Sequence, residues 1–346
     1  MPAIATSRFL DMHALLALEH MRFTTRHRIE GTYSGRHASR QLGGAGEFVD
    51  YREYSQGEDL RRLDWKVLAR TGKAYVRLFQ DETNLLCTLA IDASGSMRFG
   101  AGVPPFVVPP SGGSSEDNGH ETAGRLKPEL RTGRLKPELR TGRLKPELRT
   151  PGSKLEYAQY LATALSHVIQ RGQDQVGLAV LAGELTEFIP PGGTTSHVSF
   201  IQDAIEKIET RESLQMAGAL RKLFEQTSQR GVLLFISDFL VDDLDAVFAA
   251  LRLFRHRQSE VIIIHLVHPD EERLPAGAAF RFVGMEGEGM VHCSPDEIRE
   301  LYQERFEAHA ATVRTLALSN ACDYRRVSTA IPYLQTLHGF LVERSG

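Results

Sequence analysis

Four short segments are almost unbroken runs of apolar residues: Leu85–Ile91, Val176–Leu181, Val232–Ile236 and Val261–Val267. Each has the length of a strand, and a strand that is apolar on both faces has to be covered on both faces. Around them the apolar residues change to helical spacing, over Lys154–Arg171, Ser196–Glu209, Leu214–Arg230 and Leu244–Arg257. Alternation of this kind predicts an α/β fold, a mostly parallel, doubly wound sheet flanked by helices. A hairpin-like segment at Phe280–Cys293, a helix at Pro295–Leu318, an edge strand at Asp323–Ser328 and a terminal helix at Ile331–Glu343 complete the pattern. With 42% hydrophobic residues in a chain of 346, there is enough apolar mass for a full core.

Two units follow from this reading. Residues 84–346 form the α/β domain. Residues 1–83 form an N-terminal region with a short amphipathic helix at Phe9–Phe23, a Gly-, Ser- and Arg-rich loop at Thr32–Gly46, and a charged and aromatic stretch ending in a strand pattern at Lys73–Gln80. The α/β domain is interrupted at 100–153. There the nonamer G-R-L-K-P-E-L-R-T occurs at Gly124–Thr132, Gly133–Thr141 and Gly142–Thr150. A central proline in each copy breaks any continuous helix, and three copies are too short for a solenoid. The expectation is a disordered insertion, tolerated because loop closure grows slowly with length. The other reading is a basic tether for an acidic partner.

Composition removes several classes of function. The formal net charge is -3, although residues 1–80 carry 13 Lys and Arg against 9 Asp and Glu. Acidic residues are interleaved with that local excess, which argues against nucleic-acid binding. No apolar run reaches the roughly 18–20 residues of a membrane helix, and the N-terminus lacks the pattern of a signal peptide. Three cysteines far apart in sequence fit a reducing compartment. The expectation is a cytoplasmic protein without membrane insertion. Neither a phosphate-binding G-x-x-x-x-G-K-[ST] loop nor H-E-x-x-H is present.

The chemistry is concentrated where the first apolar strand ends, at Ile91-Asp92-Ala93-Ser94-Gly95-Ser96. Ligands of open parallel sheets gather at the carboxyl ends of the strands. A turn there can aim Asp92, Ser94 and Ser96 at one point. The third apolar strand ends in Ser237-Asp238, and if the two strands are neighbours Asp238 arrives at the same edge. Carboxylates and hydroxyls are hard oxygen donors, suited to Mg2+ or Mn2+. The rival reading is that Asp92 and the serines cap the next helix. A rival of another class is a Mg2+-dependent phosphohydrolase with Asp92 as nucleophile. Such an enzyme needs a second carboxylate two residues on, where this chain has Ser94, so no enzyme is expected. His265, His268 and His292 have no ligand spacing and read as core or surface histidines.

The D-x-S-x-S strand end resembles the metal-ion-dependent adhesion site of von Willebrand factor A domains. The resemblance implies Asp92, Ser94, Ser96 and Asp238 as the ligand set. It also implies one open coordination position, which an acidic residue of a protein partner would fill. That family adds a threonine before the helix preceding the Asp238 strand. Here Ser213 is the first candidate and Thr210 the next, while Thr194, in Gly192-Gly193-Thr194-Thr195, lies one helix too early.

A longer series narrows the match: Gly35-Arg36-His37-Ala38-Ser39-Arg40, Gly46-Glu47-Phe48, Tyr51-Arg52-Glu53-Tyr54, Gly57-Glu58-Asp59-Leu60-Arg61, Leu63-Asp64-Trp65, Ala69-Arg70 and Val76-Arg77. It resembles the signature of the bacterial family called domain of unknown function 58. That resemblance implies a MoxR-type AAA+ ATPase as partner and a role as an adaptor in protein assembly or maturation. Within the signature, Tyr54, Arg61, Asp64, Trp65 and Arg70 are candidates for a partner-binding surface, because aromatics and Arg dominate interface hot spots. The alternative is an internal network of ion pairs and aromatics that fixes this region. Trp65 taken alone, the only tryptophan, is expected to be packed.

Overall fold

The computed structural model describes residues 7–10, 12–25, 34–43, 47–55, 63–100, 152–211, 215–227, 230–274, 280–283, 290–293 and 295–345. In chain order these form α1 (Met12–Ala17), β1 (Ser34–Gly43), β2 (Glu47–Glu53), α2 (Trp65–Thr71), β3 (Tyr75–Thr83) and β4 (Leu86–Asp92). There follow α3 (Lys154–Arg171), β5 (Gln175–Ala182), β6 (Glu184–Gly192), α4 (Thr195–Glu206), α5 (Met216–Gln226), β7 (Val232–Ser237), α6 (Leu244–His256) and β8 (Glu260–Val267). The remainder is α7 (Pro269–Glu272), β9 (Phe280–Val283), β10 (Met290–Cys293), α8 (Pro295–Ser319), β11 (Asp323–Ser328) and α9 (Tyr333–Ser345).

The four apolar runs are the inner strands of a six-stranded sheet of order β11-β8-β7-β4-β5-β6. All neighbours are parallel except β6, which runs antiparallel to β5. This is the von Willebrand factor A-like α/β architecture. Alternation along the strands feeds two cores. Cys87, Leu89 and Ile91 of β4, with Val232, Leu234 and Ile236 of β7, face α1, α3, α4 and α9. Ala90, Leu233 and Phe235 point the other way, into a core with α5, α6 and α8. The chain leaves β4 for β5 and β6 on one side, then returns to β7 on the other. The β4/β7 boundary is therefore the topological switch point, where such sheets open a crevice.

Two expectations change, and one strand is new. The segment Thr32–Gly46 was expected as a loop, yet it contains β1, which joins β3 and β2 in an antiparallel sheet of order β1-β3-β2. The N-terminal helix covers Met12–Ala17 rather than Phe9–Phe23. Phe9 and Leu18 outside it are nevertheless buried, Phe9 packing edge-on against Tyr160. Strand β6 had no clear sequence pattern. It is a half-exposed edge carrying Pro190 and Pro191, as edge strands allow. Gly177 of β5 lies so close to it that a Cβ would stand 2.6 Å from the Ile189 carbonyl oxygen.

Residues 101–151, most of the predicted insertion, lie outside the described residues. Its two ends meet: the Lys154 N–H donates to the Phe99 carbonyl at 3.1 Å. A Cβ on Gly100 would lie 2.8 Å from the Gly152 carbonyl oxygen, and Gly100 has φ +97°, a conformation that favours glycine.

Candidate functional site at the carboxyl ends of two central strands

Register places the site. Ile91 of β4 pairs with Ile236 of β7, and Asp92 pairs with Leu181 of β5, so Asp92 and Ser237 leave the sheet side by side. The Ser237 hydroxyl donates to Asp92 Oδ2 at 2.6 Å, and the Ser94 N–H donates to Asp92 Oδ1 at 2.8 Å. The hydroxyls of Ser94 and Ser96 are 3.0 Å apart. Beyond Ser237, Phe239 takes φ +55°, turning the chain sharply, and its buried ring stacks on Phe248. The Phe239 N–H donates to Ser237 Oγ at 2.9 Å and the Leu240 N–H to Asp238 Oδ1 at 3.1 Å. Asp92, Ser94 and Asp238 are buried; Ser96 is half-buried and bonds to Asp238.

The capping alternative does not describe these residues. Ser94 opens a 3₁₀ turn at Gly95–Arg98 without a side-chain capping bond, and α3 is capped by Ser153, whose hydroxyl accepts from the Glu156 N–H.

Sequence reasoning missed a third participant. Lys154, the first residue of α3, is fully buried; its ammonium donates to Asp238 Oδ2 at 2.6 Å and also to Glu271. Glu271 belongs to the short α7 after β8 and is held by the His268 N–H at 3.0 Å. Burial works against the charged form of Asp238, but the Lys154 ammonium outweighs it and holds the carboxyl below its ordinary range. Asp92 has no such cation. Burial, and then the charge of Asp238, push it up to about 7. Burial also opposes the Lys154 charge, yet Asp238 and Glu271 together raise its pKa. His265, the nearby histidine, is pushed down to about 4 by burial and stays neutral, bonded to the Tyr324 hydroxyl at 2.8 Å.

The donor set can be tested against a hard cation. Octahedral Mg2+ at 2.0–2.1 Å places adjacent ligand oxygens about 2.9 Å apart. The Ser94–Ser96 hydroxyl spacing matches that edge. Asp92 adds a buried carboxylate with no ion-pair partner among the described residues. Asp92, Ser94 and Ser96 thus fit such an ion, whereas one oxygen of Asp238 is already committed to Lys154. Among the described residues no group of three or more His, Cys, Asp and Glu could hold a metal; this set relies on hydroxyls instead.

The candidates for the third loop separate by sheet edge. Thr194 caps α4, its hydroxyl accepting from the His197 N–H at 3.2 Å. It follows Gly192, which pairs with Val176 at the start of β5, so it lies at the opposite edge from Asp92. Thr210 comes to the correct edge: Arg211 bridges to Ser94, and the Thr210 hydroxyl accepts from Arg98 at 2.8 and 3.0 Å. Ser213 lies outside the described residues.

Residues 50–104 and 148–312 match the family described as Protein of unknown function DUF58, together well over half of the chain. The chain belongs to this family. Uncharacterized proteins of Mycobacterium bovis and Mycobacterium tuberculosis are 31% identical to it over 99 residues, covering 29% of this DUF58 chain. The alignment spans 31% of the length of each of these relatives. Two solved structures also align. One is the conserved hypothetical protein BatB from Bacteroides thetaiotaomicron, at 14% identity and TM-score 0.42 over 75% of this chain and 98% of that one. The other is an aerotolerance-related membrane protein from Bacteroides fragilis, at 16% identity and TM-score 0.42 over 74% and 98%.

The DUF58 signature residues take different places. Asp64 is buried and caps α2, accepting from the N–H groups of Lys66 at 2.9 Å and Val67 at 3.1 Å and from the Tyr51 hydroxyl at 3.1 Å. It serves the internal network. Trp65, expected to be packed, is 60% exposed. It is the first residue of α2, next to the capping Asp64. Arg70 is exposed in the last turn of α2, and Tyr54 is half-buried. Arg61 lies outside the described residues. No helix among the described residues is long and apolar enough to cross a membrane.

Proposed function

We propose that this DUF58 protein is a non-catalytic, cytoplasmic protein-binding adaptor that works with a MoxR-type AAA+ ATPase in protein assembly or maturation. Its docking point is the β4/β7 end of the sheet, with a Mg2+ or Mn2+ ion held by Asp92, Ser94 and Ser96. The observation that carries this reading is the convergence of Asp92 with the hydrogen-bonded hydroxyls of Ser94 and Ser96 at the switch point, a hard-oxygen donor set. When bound, the ion supplies a coordination position for an acidic residue of the partner. Asp92 anchors the loop through Ser94 and Ser237. Asp238 bonds to Ser96 and keeps the serine turn against β7. Thr210, held by Arg98, lines the same edge. The exposed Trp65 and Arg70 form a second contact surface.

Against a phosphohydrolase stands Ser94, which occupies the position where the general acid is needed. The test is capture of a purified MoxR-type ATPase by wild type and Asp92→Ala, each with Mg2+ and with EDTA. Capture by wild type in Mg2+, lost in the other three conditions, is expected. Equal capture in all four would refute the metal-bridged contact, and metal-dependent hydrolysis abolished by Asp92→Asn would refute the non-catalytic reading.

A further inference from the structure

We infer that Lys154 is a resident cation of this site, competing with the divalent ion for Asp238 and keeping the site's metal affinity low. The inference rests on the metal-site reading above and adds its regulation.

The placement of Lys154 is costly by itself. It is fully buried, and it begins a helix at the end where the macrodipole disfavours a positive charge. Two carboxylates compensate: Asp238 from the end of β7, at 2.6 Å, and Glu271 from the turn after β8. Asp92, at the end of the neighbouring strand β4, faces Asp238 rather than the ammonium. The excess negative charge favours a divalent ion, while the ammonium repels one. The two cations meet at Asp238, which touches both Lys154 Nζ and the Ser96 hydroxyl. An ion seated on Ser94 and Ser96 therefore lies one carboxylate away from a fixed positive charge. Because α3 begins directly after the point where Phe99 and Lys154 join, the competitor is built into the same chain junction that closes the site.

The test measures Mn2+ binding to the full chain by the electron paramagnetic resonance of the free ion, with melting temperature recorded alongside. The variants are wild type, Lys154→Met, Lys154→Gln and the double variant Asp92→Asn/Lys154→Met. Removing one unit charge a few Å from the ion should tighten Mn2+ binding about ten-fold or more in Lys154→Met. Its melting temperature should become strongly Mn2+-dependent, and the double variant should lose both effects. Binding by Lys154→Met but not by wild type also supports the inference, while counting against a metal in the working protein. Equal affinity in wild type and Lys154→Met overturns the inference and leaves the metal-site reading standing. No binding by any variant overturns both. Should the single variants fold poorly, recovery of folded protein by Mn2+ supports competition. Failure of both with and without Mn2+ overturns it, because the ammonium is then structural and no other cation replaces it.

Discussion

Replacing Asp92 by Asn should make the protein more stable at neutral and higher pH when no divalent ion is present. The carboxyl is raised from its ordinary 3.8 to about 7 by burial and by the charge of Asp238. Between those two values the folded protein holds a proton that the unfolded chain has released. Stability therefore falls as pH rises through this window, and the loss is complete above about 7. At 1.36 kcal/mol per pKa unit the span corresponds to at most about 4 kcal/mol, and coupling to Asp238 and entry of water reduce it. Asn has the shape of the protonated acid and can keep the Ser94 N–H bond, so it removes the charge without a cavity. The assay is urea unfolding of both proteins in EDTA from about pH 4 to 8. The difference between them should be near zero at the acid end and favour Asp92→Asn by kilocalories at the alkaline end. Adding Mg2+ should stabilise wild type there, and not the variant, by mass action. A difference that does not change with pH, or a variant that is less stable throughout, would refute the reasoning.

Three further outcomes are expected. Asp64→Ala should lower stability by about 1 kcal/mol through the lost cap of α2, whereas Trp65→Ala should leave the melting temperature unchanged and reduce ATPase capture. The opposite pattern would place Trp65 in the internal network. Replacing residues 103–150 by a short Gly-Ser linker should keep the melting temperature or raise it, by up to about 2 kcal/mol in stability, because the ends of the segment already meet and a shorter loop is easier to close. A large loss of folded protein would show that the repeats contribute to packing. Gly177→Ala should destabilise by about 1–3 kcal/mol, since its Cβ would press on the Ile189 carbonyl; chemical denaturation detects this directly.

The sheet was legible because its inner strands are buried on both faces, and double burial leaves short continuous apolar runs set between longer stretches of helical spacing. The inner strands β4, β5, β7 and β8 fall within a residue of their predicted bounds, and of the edges β11 matches its own. The other edge strands leave weaker traces. β6 has one buried residue and two prolines, and β1 is built from Ser, Gly, Arg and His, so neither shows alternation that composition alone separates from loop. The meeting of Asp92, Ser94 and Ser96 was also legible, because all three follow one strand end within five residues. The adjacency of Asp238 required β4 and β7 to be neighbours, and the order of the sheet makes them so.

Lys154 was not legible, and the reason is physical. Its partners lie 84 and 117 residues further along the chain, on two different strand ends. Read locally, it is a lysine after a Ser cap at the start of an amphipathic helix, a position in which lysine is normally solvated. The anomaly is its location at the positive end of a helix dipole, a disfavoured choice unless carboxylates face it. Two carboxylates converging at one sheet edge without a cation repel each other. The fold assigns part of the relief of that repulsion to Lys154. Asp238 is neutralised from within the chain, whereas Asp92 has no ion-pair partner among the described residues. The division is asymmetric by construction: α3 starts at the mouth of β4 yet reaches across to β7 and β8. The side chains at this sheet edge are thus held by the chain's own hydrogen bonds and by one internal ion-pair cluster.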